Sequence, residues 1–135
     1  MPSLAHSLKL LVAASFLLTT FLASTMNARP QAEGRVLRHV VLLKFKETTS
    51  SADKTKIEEA FRALPAQISE IRGFEWGTNV SVENLSLGFT DCFVLTFSSE
   101  KDRDVYLEHP AHKEFGNIIG SALDKVLVVD FWAGK

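Results

Sequence analysis

The chain has 135 residues, 46% of them hydrophobic and 23% charged, which fits one globular domain once its ends are set aside. A net charge of -1 at pH 7, with no basic patch standing out, argues against a nucleic-acid partner or an acidic substrate. The single cysteine, Cys92, excludes an intrachain disulfide and a cysteine-based metal cluster, and inside an apolar run it reads as a small buried hydrophobe.

Residues 1–25 have the order of a secretory signal. Lys9 precedes an apolar stretch over 10–22, broken by Ser15, Thr19 and Thr20, and the small residues Ala23, Ser24 and Thr25 follow. That stretch is short for a spanning helix, which needs roughly 20 apolar residues. The expectation is a secreted or periplasmic protein with no stable membrane association after signal removal; an uncleaved anchor is the alternative. Residues 26–35, with Asn27, Pro30 and Gly34, read as a polar linker, and residues 36–135 as the folded domain.

Within the domain, 38–45 is a branched, apolar strand on both alternating faces, the pattern of a strand covered on two sides. Ser50 and Asp53 form an approximate capping box. Ile57, Phe61, Leu64, Ile68 and Ile71 then recur at steps of four, three, four and three, one face of a helix, with a break expected near Leu64 because Pro65 interrupts it. A weaker strand is predicted over 74–81, where Gly77 suggests a bulge or a close backbone approach. A loop over 82–90 leads to a strand over 91–97. Ser99 and Asp102 cap a helix running to Glu108, a further helix spans 110–123, and 126–132 closes the chain as a strand apolar on both faces apart from Asp130.

Strand, helix, strand is thus written twice. This predicts an α+β, ferredoxin-like split βαβ protomer whose four-stranded antiparallel sheet carries its helices on one face. The other face, assigned to Val40, Leu42, Cys92, Val94, Val126 and Val128, is apolar where water is expected. Burying each such side chain is worth roughly 1.5 to 3 kcal/mol, so a homodimer with sheets face to face, a dimeric α/β barrel, is expected.

The segment from Tyr106 to His112 concentrates chemistry. Pro110 suits the first helical position, which makes His109 the N-cap and puts His112 at the third position, in the positive end of a helix. His112 is therefore expected to be neutral near pH 7 and able to accept a proton, with Tyr106 as a hydrogen-bond donor across the break. Facing a pocket, the two form an acid–base pair for proton abstraction beside a carbonyl; facing water or a core, they make a capped corner. The expected ligand pocket lies between sheet and helices, walled by Val41, Leu43, Ile57, Phe61, Phe93 and Phe115, residue types that any core also contains. Asp91 reads as a capping or turn residue, His39 as a satisfied histidine near a strand start, and Asp130 as facing solvent or paired with a base. No phosphate loop, dinucleotide fingerprint or convincing metal set is present. Asn79-Val80-Ser81 and Asn84-Leu85-Ser86 match glycosylation sequons.

His39-Val-Val-Leu-Leu-Lys-Phe-Lys46, Trp76-Gly77, Gly88-Phe-Thr-Asp91 and Tyr106-x-x-His109-Pro-x-His112 resemble the stress-responsive dimeric α/β barrel (Dabb) family over nearly all of 38–132. The resemblance implies a ferredoxin-like protomer in a dimeric barrel. The family includes plant stress proteins and a plant polyketide cyclase that uses aldol chemistry without a cofactor. By that resemblance Tyr106 and His112 fall on catalytic positions, His39 on an active-site position in the first strand, and Asp91 on a polar cavity position, histidine in the cyclase. Two readings follow: a small homodimer binding a hydrophobic or aromatic metabolite without turnover, or a cofactor-independent lyase or cyclase.

Overall fold

The computed structural model describes residues 34–133. The expected signal at 1–25 and most of the linker lie outside the described residues. Among these residues the chain forms β1 (Leu37–Phe45), α1 (Ser51–Arg62), α2 (Leu64–Gln67), β2 (Gly73–Thr78), β3 (Asp91–Phe97), α3 (Glu100–Glu108), α4 (Pro110–Ile119) and β4 (Leu123–Trp132). The strands make one antiparallel sheet in the order β2-β3-β1-β4, the ferredoxin-like arrangement expected from the sequence.

Local chemistry sets the helix ends. The Ser50 hydroxyl accepts from the Asp53 N–H and donates to the Asp53 carboxylate, and Ser99 accepts from the Asp102 N–H. Pro65 does break the first helical stretch: α1 stops at Arg62, and α2 restarts as a single turn with Pro65 near its beginning. Along β1 the residues alternate buried and half-buried. The buried set, Leu37, His39, Val41, Leu43 and Phe45, faces the helices. There Phe61 stacks on Phe93, with ring centroids 4.2 Å apart, and leans on Phe115 at 4.5 Å. These rings and their aliphatic neighbours Leu43, Leu95, Leu64 and Ile68 form the core.

Four expectations are corrected. The last helix ends at Ile119, not near residue 123, because Gly120 closes it and Leu123 pairs with Phe45 at the start of β4. β2 stops at Thr78, because the Asn79 side chain turns the chain by accepting from the Ser81 N–H at 2.9 Å. Gly77 is not a bulge: its ladder to Cys92 is regular, and the register shift lies between Lys44 and Phe45. The apolar open face is one residue out of step in β4. Val40, Leu42, Cys92 and Val94 lie beside Leu127 and Val129, whereas Val126 and Val128 share the helix side with Leu43 and Val41.

Among the described residues the edge strand β4 is uncovered on both sides. Val126, Leu127, Val128, Val129 and Phe131 are each 44 to 53% exposed. No helix of the described residues is long and apolar enough to cross a membrane.

Candidate functional site

The corner between α3 and α4 is built as its residue order implies. His109 leaves the helical conformation at φ -65, ψ 136, and its Nδ1 accepts the Ala111 N–H at 3.1 Å. Pro110 then opens α4, and His112 occupies its third position. His112 Nδ1 lies 3.1 Å from the Leu107 carbonyl oxygen. A carbonyl only accepts, so Nδ1 carries the proton and Nε2 keeps a free lone pair. Burial, the largest influence, holds the His112 pKa below its ordinary value and outweighs the opposing pull of the Leu107 carbonyl. The positive end of α4 acts in the same direction.

Tyr106 is the buried residue of α3, 1% exposed. Its ring stands between two imidazoles, 4.4 Å from His112 and 5.6 Å from His39 by centroids, and also touches Phe97 at 5.3 Å. Burial raises the phenol pKa well above the ordinary range, so the group is neutral and a donor. Among the described residues its hydroxyl makes no hydrogen bond, although no fully buried side-chain polar atom lacks a partner.

His39, 4% exposed, sits directly across the ladder from Asp130. Its Nδ1 is 2.6 Å from Asp130 Oδ1, and Arg103 Nη1 donates to Asp130 Oδ2 at 2.6 Å. Burial pushes the Asp130 carboxyl up, but the hydrogen bonds from Arg103 and His39 outweigh it and hold the group below the usual carboxylate range. An ionised carboxylate behind Nδ1 fixes the His39 ring, whose centroid lies 5.6 Å from that of Tyr106. Asp130, read from the sequence as facing solvent or paired with a base, is paired with His39 and with Arg103. Arg103 is the partner that sequence reasoning did not single out.

The structure thus brings His39, Tyr106 and His112 together. Asp91 does not join them. It lies four positions further along the ladder, opposite Leu43, a separation of roughly 13 Å at strand rise. Asp91 is buried, accepts from the Thr90 hydroxyl at 2.6 Å, and lies close enough to Glu58 of α1 to influence its charge. Burial first, then the nearby Asp91 charge, raises the Glu58 pKa above its ordinary value.

The expected pocket walls Val41, Leu43, Ile57, Phe61, Phe93 and Phe115 are all buried and close on one another as core. One cavity of about 340 Å³ lies on the open-face side of β2 and β3, against Leu42, Trp76, Phe89, Asp91, Cys92 and Val94. Another, of about 260 Å³, lies between Thr49, Ile57, Ile118 and Ala122. Neither touches Tyr106 or His112.

The family model for the stress responsive A/B barrel domain matches residues 37–133. The stress-response A/B barrel domain-containing protein HS1 of Arabidopsis thaliana is 40% identical over 101 residues, 75% of this chain and 92% of that protein. Olivetolic acid cyclase of Cannabis sativa is 30% identical over 99 residues, 73% of this chain and 98% of the cyclase. Among solved structures, the hydroxynitrile lyase of Passiflora edulis superposes with a TM-score of 0.70 at 25% identity, covering 74% of this chain and 94% of the lyase. A Bacteroides fragilis protein of unknown function, described as dimeric with a ferredoxin-like fold, superposes with a TM-score of 0.59 at 27% identity, covering 71% and 94%.

Proposed function

The chain belongs to the stress-responsive A/B barrel domain family, and we propose that it is a small homodimer whose His39–Tyr106–His112 cluster binds a hydrophobic or aromatic carbonyl compound and moves a proton beside its carbonyl. The reaction class is that of a lyase or an aldol-type cyclase. His112 Nε2 takes the proton from carbon, and the Tyr106 hydroxyl donates to the oxyanion as it develops. A positioned base contributes roughly 10²- to 10⁴-fold in rate, and a donor aimed at the developing charge adds to that. His39, backed by Asp130, is the second imidazole in reach of the tyrosine.

The observation that carries this reading is the fixed tautomer of His112. Its Nδ1 proton is committed to Leu107 and its pKa is lowered, so a basic nitrogen is present near neutral pH beside a neutral phenol. The cyclase and the lyase among its relatives support the same class of chemistry. Ligand binding without turnover is the second reading, favoured by the packed Phe61, Phe93 and Phe115, which leave the expected pocket walls filled.

The homodimer is supported by the apolar open face and by the dimeric Bacteroides fragilis neighbour. Residues 1–25 act, in this reading, as an export signal, so the amino-terminal sequence of secreted or periplasmic material should begin beyond residue 25.

The test is a thermal-shift screen against aromatic polyketides, small phenolics and hydroxynitriles, followed by turnover of whatever raises the melting temperature. Tyr106→Phe and His112→Ala should each lower turnover by roughly 10²-fold or more while the dimer and the ligand-induced shift persist. Binding without turnover in the wild type supports the second reading. Unchanged turnover in both variants removes their catalytic role.

A further inference from the structure

The opening of α3, Glu100-Lys101-Asp102-Arg103-Asp104, is charged throughout, the pattern of a helix face turned to water. Lys101 and Asp104 are exposed as that pattern implies, but the Arg103 side chain is only 21% exposed. Arg103 stands three residues before Tyr106 and so shares its side of the helix. On that side Tyr106 packs against His39 of β1 and Phe97 of β3. A guanidinium therefore sits one turn from the buried phenol.

The hydrogen bonds of Arg103 are divided between two carboxylates. Nε donates to Asp104 at 2.9 Å, on its own helix, which sets the direction of the planar fork. Nη1 donates to Asp130 Oδ2 at 2.6 Å, on β4. Asp130 is divided in the same way, because its Oδ1 lies 2.6 Å from Nδ1 of His39. A carboxylate only accepts, so His39 carries its proton on Nδ1. The Asp130 side chain is 27% exposed and that of His39 5%. Water therefore competes for the carboxylate, and the guanidinium takes one of its two oxygens.

Two other roles for Arg103 fit these contacts less well. As an anion site it would hold its ligand beside Asp104 and Asp130, whose two negative charges already exceed its one positive charge. As a plain strut between α3 and β4 it is duplicated, because Trp132 Nε1 donates to Glu100 at 3.3 Å and joins the same two elements.

We propose that Arg103 is a positioning residue for the proton transfer proposed above: it holds Asp130 Oδ2, so that Oδ1 stays on His39 Nδ1 and the His39 lone pair stays on Nε2. The kinetic consequence rests on that functional reading; the effect on the His39 ring does not. Arg103 acts on His39 only through Asp130. Arginine suits the task because one rigid fork bonds Asp104 and Asp130 together, whereas lysine supplies the charge without the fork.

Long-range ¹⁵N–¹H spectra of the full-length protein read the His39 ring, and steady-state kinetics read its consequence. Arg103→Leu keeps an apolar stem and removes the charge and the donors. Its His39 Nδ1 proton should exchange with water roughly tenfold faster or more, and kcat should fall roughly tenfold with KM within about twofold. Arg103→Lys should recover most of both. Glu100→Ala breaks the other tie between α3 and β4 and should change neither. Arg103→Gln is read alongside, so the test stands if the leucine variant does not fold. An unchanged His39 proton in the folded leucine or glutamine variant overturns the proposal. Equal changes in Glu100→Ala make Arg103 a strut and overturn it as well. A wild type that turns over no carbonyl compound overturns the functional reading alone, and the His39 spectrum still decides the role of Arg103.

Discussion

His112 is poised as a base by one carbonyl and by its burial. The Leu107 oxygen takes the Nδ1 proton, and partial burial keeps the second proton off Nε2. The sign of the resulting pH dependence is fixed. His112 has a folded pKa below its ordinary 6.5, and Asp130 one below its ordinary 3.8, so the unfolded chain binds protons first as pH falls. Stability from both groups is full above those values and is lost on acidification, the His112 part from about pH 6.5 downward. Glu58 acts oppositely: its folded pKa is raised above 4.5, so its contribution is present below that value and fades as pH rises. Thermal melts of wild type and His112→Gln between pH 8 and pH 5 check this. The wild type should lose more stability than the variant across that range. Turnover should fall on its acid limb as His112 is protonated, at a pH below that of an ordinary histidine.

The α3–α4 corner is the element on which the site depends. α3 starts on the Ser99 cap and ends by burying Tyr106; α4 starts on the His109 cap and Pro110, which fixes the orientation of His112. His109 therefore has a structural duty distinct from the chemistry of its neighbours, because its Nδ1 is engaged by the Ala111 N–H. Asparagine is an equally good N-cap, whereas alanine forfeits the bond at a cost of about 0.5 to 2 kcal/mol. Denaturant unfolding should therefore show His109→Asn close to wild type and His109→Ala destabilised by about that amount. Turnover per folded molecule should survive in the asparagine variant. A loss of turnover there, with stability intact, would give His109 a chemical role.

At the scale of the whole molecule, the cluster gathers residues from both halves of the duplicated pattern: His39 from the first strand, Asp130 from the last, and Arg103, Tyr106 and His112 from the corner between. What was legible in the sequence was what local rules govern. The Ser50 and Ser99 caps, the Pro65 break, the His109–Pro110 corner and the neutral His112 each depend on neighbours a few residues away. What was not legible depends on register. From Val126 to Val129 every side chain is aliphatic, so alternation marks no face, and a one-residue slip in β4 went unseen. The same register puts Asp130 opposite His39, 91 positions apart in sequence, and Arg103 completes the carboxylate's partners from a helix. The approach of Asp91 to Glu58 is hidden for the same reason. Long-range ¹⁵N–¹H correlation spectra of the imidazoles, recorded through a pH titration of the protein, test this assembly most directly. At pH 7 His39 and His112 should both carry a proton on Nδ1, and the His112 ring should be neutral and titrate below 6.5. A His112 protonated on Nε2 alone, or charged at pH 7, would contradict it.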